Sequence, residues 1–304
     1  MSKLIVKDNA LINASYSLSL VEQRLVLLAT AQARINNLDG NYEKMITISA
    51  DSYMQQFNVQ RGTAYQVLQD ACKTLFERRF SYQEKRGKGV ANITSRWVSQ
   101  IGYIENTATV EIIFAPAVTP LITELERHFT SYDLVQISGL SSVYAVRLYE
   151  LLIAWRTTGK VPKIKTQDLR EKLGVLDDEY PLMERFKTKV LEQALKQINV
   201  NTDIMAKYEQ HKTGRAVTGF TFTFKQKKII EHAPVNAFMK LTDSQINLFS
   251  SKLAALSELG SKAPMGASTA DYAAIIASDL ADEDKQLQYM PYLAKLGYQP
   301  TKRK

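Results

Sequence analysis

The spacing of apolar residues divides most of the chain into helical and strand-like segments. Over residues 18–35, Leu20, Val21, Leu25, Leu28 and Ala31 recur on one helical face, with Ser19 placed to cap it. A strand-like run at 46–48 follows, then a short helix at 49–57 entered by Ser49 or Asp51, and a turn at Asn58 and Val59. Residues 61–76 then predict a longer amphipathic helix, with Tyr65, Leu68, Cys72 and Leu75 inside and Arg61, Thr63, Gln66 and Gln69 outside. Short helix, tight turn and longer helix is the order of a helix-turn-helix. Beyond it, residues 79–84, 93–104 and 109–114 alternate as strands, with a basic loop EKRGKG at 84–89 and a turn at Glu105-Asn106.

The same order recurs from Ser141 onward. Arg24-Leu25 aligns with Arg147-Leu148, Leu28 with Leu151 and Ala31 with Ala154. Ile48, Tyr53, Phe57 and Val59 meet Ile164, Leu169, Leu173 and Val175. After a longer turn, Val67, Leu68, Ala71, Cys72 and Leu75 meet Val190, Leu191, Ala194, Leu195 and Ile198. Any two amphipathic helices share a period, so the common order carries more weight than any single match. Two strand-like runs, 203–210 and 219–225, flank HKTGRAVT and close the second copy. After Lys228 come Pro234, a helical run at 242–259, a break at 260–266 and another helical run at 270–280. The expected fold is therefore α+β, with tandem winged-helix (helix-turn-helix) domains at 1–135 and 136–230. A partly helical C-terminal extension without assigned role occupies 231–304.

Composition sharpens this reading. A chain of 304 residues, 45% hydrophobic and 23% charged, can bury two cores without metals or disulfides. The lone Cys72 rules out an internal disulfide and reads as a buried structural thiol suited to a reducing cytosol. The apolar stretch near the N-terminus is interrupted by Glu22, Arg24 and Gln32, which argues against a signal peptide, a membrane span or a membrane partner. A cytoplasmic location is expected.

The formal net charge of +8 favours a polyanionic partner where cations cluster on one face. No G-x-x-x-x-G-K-[ST] loop is present, and His128, His211 and His232 are too scattered for a local paired-histidine metal site. Glu124, Glu126 and residues 282–284 lack the partners that metal sites need, and read as solvated surface. No catalytic residue, metal or cofactor is expected, so the chain reads as a non-enzyme; a strand-nicking or primer-synthesising enzyme would need a constellation that is missing.

The segment that stands out is 180–228. Phe186, Val190, Leu191, Ala194, Leu195 and Ile198 form its apolar stripe, turning Arg185, Lys187, Thr188, Lys189 and Gln193 outward. That pattern suits a recognition helix in a major groove, with Arg185 as the preferred base reader and Lys187 and Lys189 on bases or phosphates. Lys207, Lys212 and Arg215 in the second unit, and Lys85, Arg86 and Lys88 in the first, occupy wing positions that would track phosphates.

KDNALINASYSLSLVEQRLVLLA near the start, and FKTKVLEQALKQIN followed by TGRAVTGFTFTF, resemble the iteron-binding plasmid replication initiators, a family that includes that of the F plasmid. The resemblance covers residues 3–228. It implies a monomer whose two winged helices bind one direct repeat of double-stranded DNA at an origin, promoting origin opening. It also implies a self-dimer that represses its own gene, and host replication partners such as the initiator and helicase. Arg61, Gly62, Thr63, Tyr65 and Gln66 match the start of the family's N-terminal recognition helix. Lys187, Thr188 and Lys189 stand where some relatives are richer in arginine, so the bases read should differ. The competing reading is a dimeric transcriptional repressor without initiator activity, which would prefer an inverted repeat.

Overall fold

The computed structural model describes residues 3–35, 44–123, 128–227, 241–256, 259, 263–264, 267–289, 292–293 and 296. The chain divides into two compact units, Met1–Lys227 and Lys228–Lys304. His232, Glu124, Glu126, most of the 260–266 break and the basic TKRK end lie outside the described residues.

The first unit opens with β1 (Leu4–Asp8), a single helical turn α1 (Asn9–Ile12) and β2 (Ser15–Tyr16), elements too short for periodicity to announce. Helix α2 (Leu20–Ile35) follows. The Ser19 hydroxyl accepts from the Glu22 amide, and the Glu22 carboxylate accepts from the Ser19 N–H at 2.6 Å, which completes a capping box. The expected single apolar face proves too narrow. Residues 25–31 are all buried, because β1, β3 (Ile46–Ser49) and α4 (Arg61–Leu75) pack around the helix.

Helix α3 (Ala50–Phe57) is capped by Ser49 and ends on Asn58, whose φ of 52° reverses the chain into α4. Strands β4 (Arg79–Arg86), β5 (Gly89–Arg96), β6 (Val98–Ile104), β7 (Thr109–Phe114) and β8 (Phe129–Asp133) complete the first copy. The second copy, after the short α5 (Val135–Ser138), comprises α6 (Val143–Ile153), β9 (Lys160–Lys165) and α7 (Thr166–Leu173). A long helix α8 follows, running through Met183–Arg185, a π-helical stretch Phe186–Glu192 and Gln193–Asn201. Strands β10 (Ile204–Thr213) and β11 (Ala216–Gln226) end it.

The repeat is real at the level of topology. Sheet order is β3-β7-β6 in the first copy and β9-β11-β10 in the second, so in each the last strand lies in the middle. The turn matches too: Gly174, at φ 75°, stands where Asn58 stands in the first copy. Leu68, Ala71, Cys72 and Leu75 are buried as Leu191, Ala194, Leu195 and Ile198 are. Burial pushes the Cys72 thiol up to about 11, consistent with a structural residue.

Four expectations about the strands are corrected. Residues 93–104 are two strands of different sheets, parted at the buried Trp97, whose carbonyl accepts from the Ala115 N–H. EKRGKG is mostly strand: Arg86 pairs with Gly89, so only Gly87 (φ 57°) and Lys88 turn. The β4–β5 hairpin joins β2 in a separate sheet, so it is not the wing of the first copy. By the strand order shared with the second copy, that wing is the β6–β7 connection at Glu105–Thr107. HKTGRAVT likewise lies largely in β10 and β11, which bulge at His211/Lys212 and turn at Gly214 and Arg215.

A buried ionic network ties the N-terminal segment to the second copy. Lys7 Nζ donates to Glu150 Oε1 at 2.6 Å, the Tyr132 hydroxyl donates to the same oxygen at 2.6 Å, and Arg147 Nη1 reaches Glu150 Oε2 at 2.9 Å. Arg147 also donates to the Tyr16 hydroxyl, to the Ile12 and Ala14 carbonyls at 3.0 and 2.9 Å, and to the Lys172 carbonyl at 3.0 Å. A Cβ at Gly174 would lie 2.3 Å from the Tyr16 carbonyl oxygen, so the close approach of β2 to the end of α7 requires glycine there as much as the positive φ does.

The second unit has its own core, in which Phe249, Leu253, Tyr272, Ile276 and Leu280 meet. Helices Asp243–Ala254 and Thr269–Ala281 each begin with a capping box, Thr242 with Gln245 and Ser268 with Asp271. The first stops at Ala254, short of the expected residue 259.

Burial raises the Glu150 carboxyl, but Lys7 and Arg147 outweigh it and leave it below the ordinary range. A depressed carboxylate stabilises the fold above its unfolded pKa of about 4.3, and this contribution is lost as pH falls through the folded value. Glu150→Gln leaves two buried cations without their anion and should cost about 3–5 kcal/mol at neutral pH. The variant should also lose part of the acid dependence of stability. Calorimetry from pH 7 to pH 3 checks both, and a melting temperature equal to that of the wild type would refute the role given to Glu150.

Candidate nucleic-acid interface

The long helix of the second copy is held from behind, which frees its front. Gln197 Oε1 accepts from the Ser141 and Ser142 N–H groups at the start of α6, at 2.9 and 3.1 Å. Asn199 bonds both the N–H and the carbonyl of Ala206 on β10. Phe186, Val190, Leu191, Ala194 and Ile198 are fully buried. Its N-terminal end is fixed by Arg170, which donates to the carbonyls of Leu176, Glu179 and Tyr180 and lies 5.1 Å from the Phe186 ring centroid. The longer turn of the second copy is thus folded around one guanidinium.

Arg185, Thr188, Lys189 and Gln193 are exposed on the front, as the apolar stripe requires, while Lys187 is half-buried. Lys187 Nζ reaches Gln210 Oε1 on β10 at 3.4 Å, and the Thr188 hydroxyl donates back to the Glu184 carbonyl at 3.0 Å. Glu192 and Lys196 share this exposed front. Both lie beyond the N-terminal half of the helix, where a recognition helix is expected to meet base edges.

The hairpin separates the three cations expected on its wing. Lys212 and Arg215 are exposed at the tip. Lys207, paired with Thr223, sits on the face of the sheet opposite Tyr208 and Gln210, the residues that meet α8. Lys207 therefore does not join the α8 surface. Lys160, Lys163 and Lys165, exposed on β9 at the other edge of the sheet, add cations that the alternation did not single out.

The first copy presents a different surface. Arg61 Nε donates to the Tyr65 hydroxyl at 2.9 Å, so these two act as a pair, and Gln66 Nε2 donates to Asp70 at 3.0 Å. Gly62 and Thr63 are exposed beside them. A groove of about 490 Å³ separates α4 from the β6–β7 connection, lined by Asp51, Arg61, Tyr65, Gln69 and Glu105. Its charged lining is one cation against two acids. On α4 itself Lys73 is paired with Asp70 at 3.2 Å, and the β4–β5 hairpin carries further cations, where Lys85 and Lys88 are exposed and Arg86 is paired with Glu84 at 2.9 Å.

Among the described residues no group of three His, Cys, Asp or Glu is placed to hold a metal, and no helix is long and apolar enough to cross a membrane.

Comparison with known proteins agrees with this architecture. The family described as "Initiator Replication protein, WH1" matches residues 4–153, and "Initiator Rep protein, WH2" matches residues 165–224. A replication initiation protein of Escherichia coli is 25% identical over 210 residues, covering 67% of this chain but only 65% of its own length. An uncharacterised 27.6 kDa protein of the same organism is 24% identical, with 74% of this chain and 96% of that protein aligned. Among solved structures, the Pi initiator protein, crystallised with iteron DNA, is 20% identical with a TM-score of 0.55, over 74% of this chain and 98% of that one. The WH1 domain of a replication protein isolated from a multiple sclerosis patient is 67% identical over 40% of this chain and 92% of its own, with a TM-score of 0.33.

Proposed function

This chain belongs to the initiator replication protein family, carrying both its WH1 and WH2 modules, and on that premise we propose that it binds direct repeats at a plasmid origin, promotes strand opening and recruits host replication proteins. Members of this family are DNA-binding and non-catalytic. The observation that carries the proposal is the cationic front of α8, with Arg185, Lys189 and Lys196 exposed above a fully buried back. Such a helix matches the width of a major groove, where Arg reads guanine and Gln reads adenine. The Pi initiator, of the same fold, was crystallised on iteron DNA, and we extend that ligand class to this chain.

In this reading, 1–135 and 136–230 each place one helix on the repeat, and 231–304 is an appendage. Arg185, Lys187, Thr188, Lys189 and Gln193 form the base-reading set of the second copy, and Arg61, Gly62, Thr63, Tyr65 and Gln66 that of the first. Lys85, Lys88, Lys212 and Arg215 follow phosphates, while Arg86, paired with Glu84, and Lys207, on the far face, contribute least. Dimerisation with autorepression, contact with the host initiator and helicase, and particular kinship with the F plasmid initiator complete the proposal on family grounds.

Footprinting on the DNA upstream of the gene, with random DNA as competitor, tests the core of it. Regularly phased protection over direct repeats is expected; a single protected inverted repeat would instead indicate a dimeric repressor. Arg185→Ala and Lys189→Ala should weaken cognate binding by about 1–3 kcal/mol each, more than Arg86→Ala does. Equal losses on cognate and random duplexes would remove α8 from the base-reading role. Lys212→Ala and Arg215→Ala should each lower the slope of log affinity against log salt by about one on any sequence, which titrations at several salt concentrations read directly.

A further inference from the structure

The α8 front carries a carboxylate near its centre. Glu192 is exposed among Thr188, Lys189, Gln193 and Lys196, the residues one helical turn or less to either side. It closes the π-helical stretch Phe186–Glu192, a rare conformation that recurs at functional sites. Tyr208, from β10, donates its hydroxyl to Glu192 Oε1 at 3.2 Å. One carboxylate oxygen is thereby anchored to the hairpin, and the side chain is oriented before any ligand arrives.

We propose that Glu192 is a specificity-determining residue that accepts a hydrogen bond from the exocyclic amino group of a cytosine; this deepens the DNA-binding reading above and rests on it. A carboxylate on a surface that meets phosphates repels every duplex alike, so it lowers affinity for random DNA. That penalty is offset only where a base edge offers a donor. Cytosine presents N4–H₂ in the major groove with only its C5–H beside it on the same base, whereas adenine sets N7, an acceptor, beside its N6–H₂, and the thymine O4 flanks the other side. Guanine and thymine offer the carboxylate acceptors and a methyl group. Glu192 therefore favours one base of four, and the cations around it supply the attraction that it withholds.

Selection from a library of randomised duplexes, with wild-type full-length protein, Glu192→Gln and Glu192→Ala, tests this. Glu192→Gln can keep the Tyr208 contact through its amide oxygen, which separates the charge from a merely structural tie between α8 and β10. The wild type should enrich a sequence with one fixed C·G position. Glu192→Ala should lose the preference at that position alone, and Glu192→Gln should shift it toward A·T. Discrimination at that position should fall by about tenfold or more, while affinity for random duplex rises several-fold in both variants. Both variants enriching the wild-type sequence at every position would overturn the assignment while leaving the DNA-binding reading intact. No enrichment by the wild type would take both down together.

Discussion

The arrangement of the first 227 residues depends on one buried cation. Arg147 lies on α6 in the second copy, yet most of its bonds go to the N-terminal segment: the Ile12 and Ala14 carbonyls and the Tyr16 hydroxyl. Its Nε reaches the Lys172 carbonyl near the end of α7, and Glu150 supplies the countercharge. A guanidinium out of water is costly unless its forked donors are met, and here acceptors from three separate segments meet them. Neither a lysine nor an apolar side chain could satisfy those segments at once. The network consequently selects one placement of α1, β2, α6 and α7 among the many that hydrophobic burial alone would permit. Lys7 and Tyr132 extend it to the β1–β8 pair, so that both copies share a continuous core.

Built on that frame, two copies of one topology present unlike surfaces. Each reverses its chain after the short helix with a residue at positive φ, Asn58 in one and Gly174 in the other. The first copy then enters its long helix almost at once. The second takes residues 175–182 to reach α8, a connection that would loosen its start were it not gathered by Arg170 and by Glu179, whose carboxylate accepts from the Leu176 N–H and the Tyr144 hydroxyl. The connection is rigid for this reason, and it delivers Arg185 at a defined place. The α4 groove, with Asp51 and Glu105 against Arg61, lacks the net cationic character of the α8 front.

What the sequence made legible follows from what periodicity reports. It reports which side of an element is buried, and the inward Leu68, Cys72 and Leu75 of α4 and the apolar stripe of α8 follow from it; Tyr65, expected inside with them, is instead half-buried and lines the groove beside Arg61, because its hydroxyl meets that guanidinium. It also exposed the repeat, because matched positions in a common order constrain topology more than any one helix does. It does not report where a strand changes sheet. Residues on both sides of Trp97 alternate as strands should, so the break there is invisible until the sheets are assembled. The β4–β5 hairpin looks like a wing in sequence on similar grounds, since a basic turn after a long helix reads the same in either sheet. The face that Lys207 occupies is equally hidden, because the face of a hairpin residue depends on register, and the partner strand fixes that register. The ionic network is invisible in the sequence for another reason: Lys7, Arg147 and Glu150 are charged residues on elements whose periodicity marks only apolar positions.

The unequal charge of the two copies has a consequence for how the proposed division of labour would operate. Attraction to phosphates is long-ranged and indifferent to sequence, whereas base contacts are short-ranged and directional. A protein whose cations were spread evenly over both long helices would hold any duplex firmly and would gain little by finding its repeat. Here exposed cations line α8, the hairpin tips and β9, while α4 offers a tyrosine-paired arginine, an aspartate-paired Lys73, glutamines and nearby acids. On the proposed reading, α8 supplies both capture and most of the base discrimination. The α4 surface adds little unless the duplex places complementary groups opposite it. Binding by both copies at once then requires a correct sequence at one helix and a correct spacing to the other, and Arg147 sets that spacing by joining α6 to the N-terminal segment.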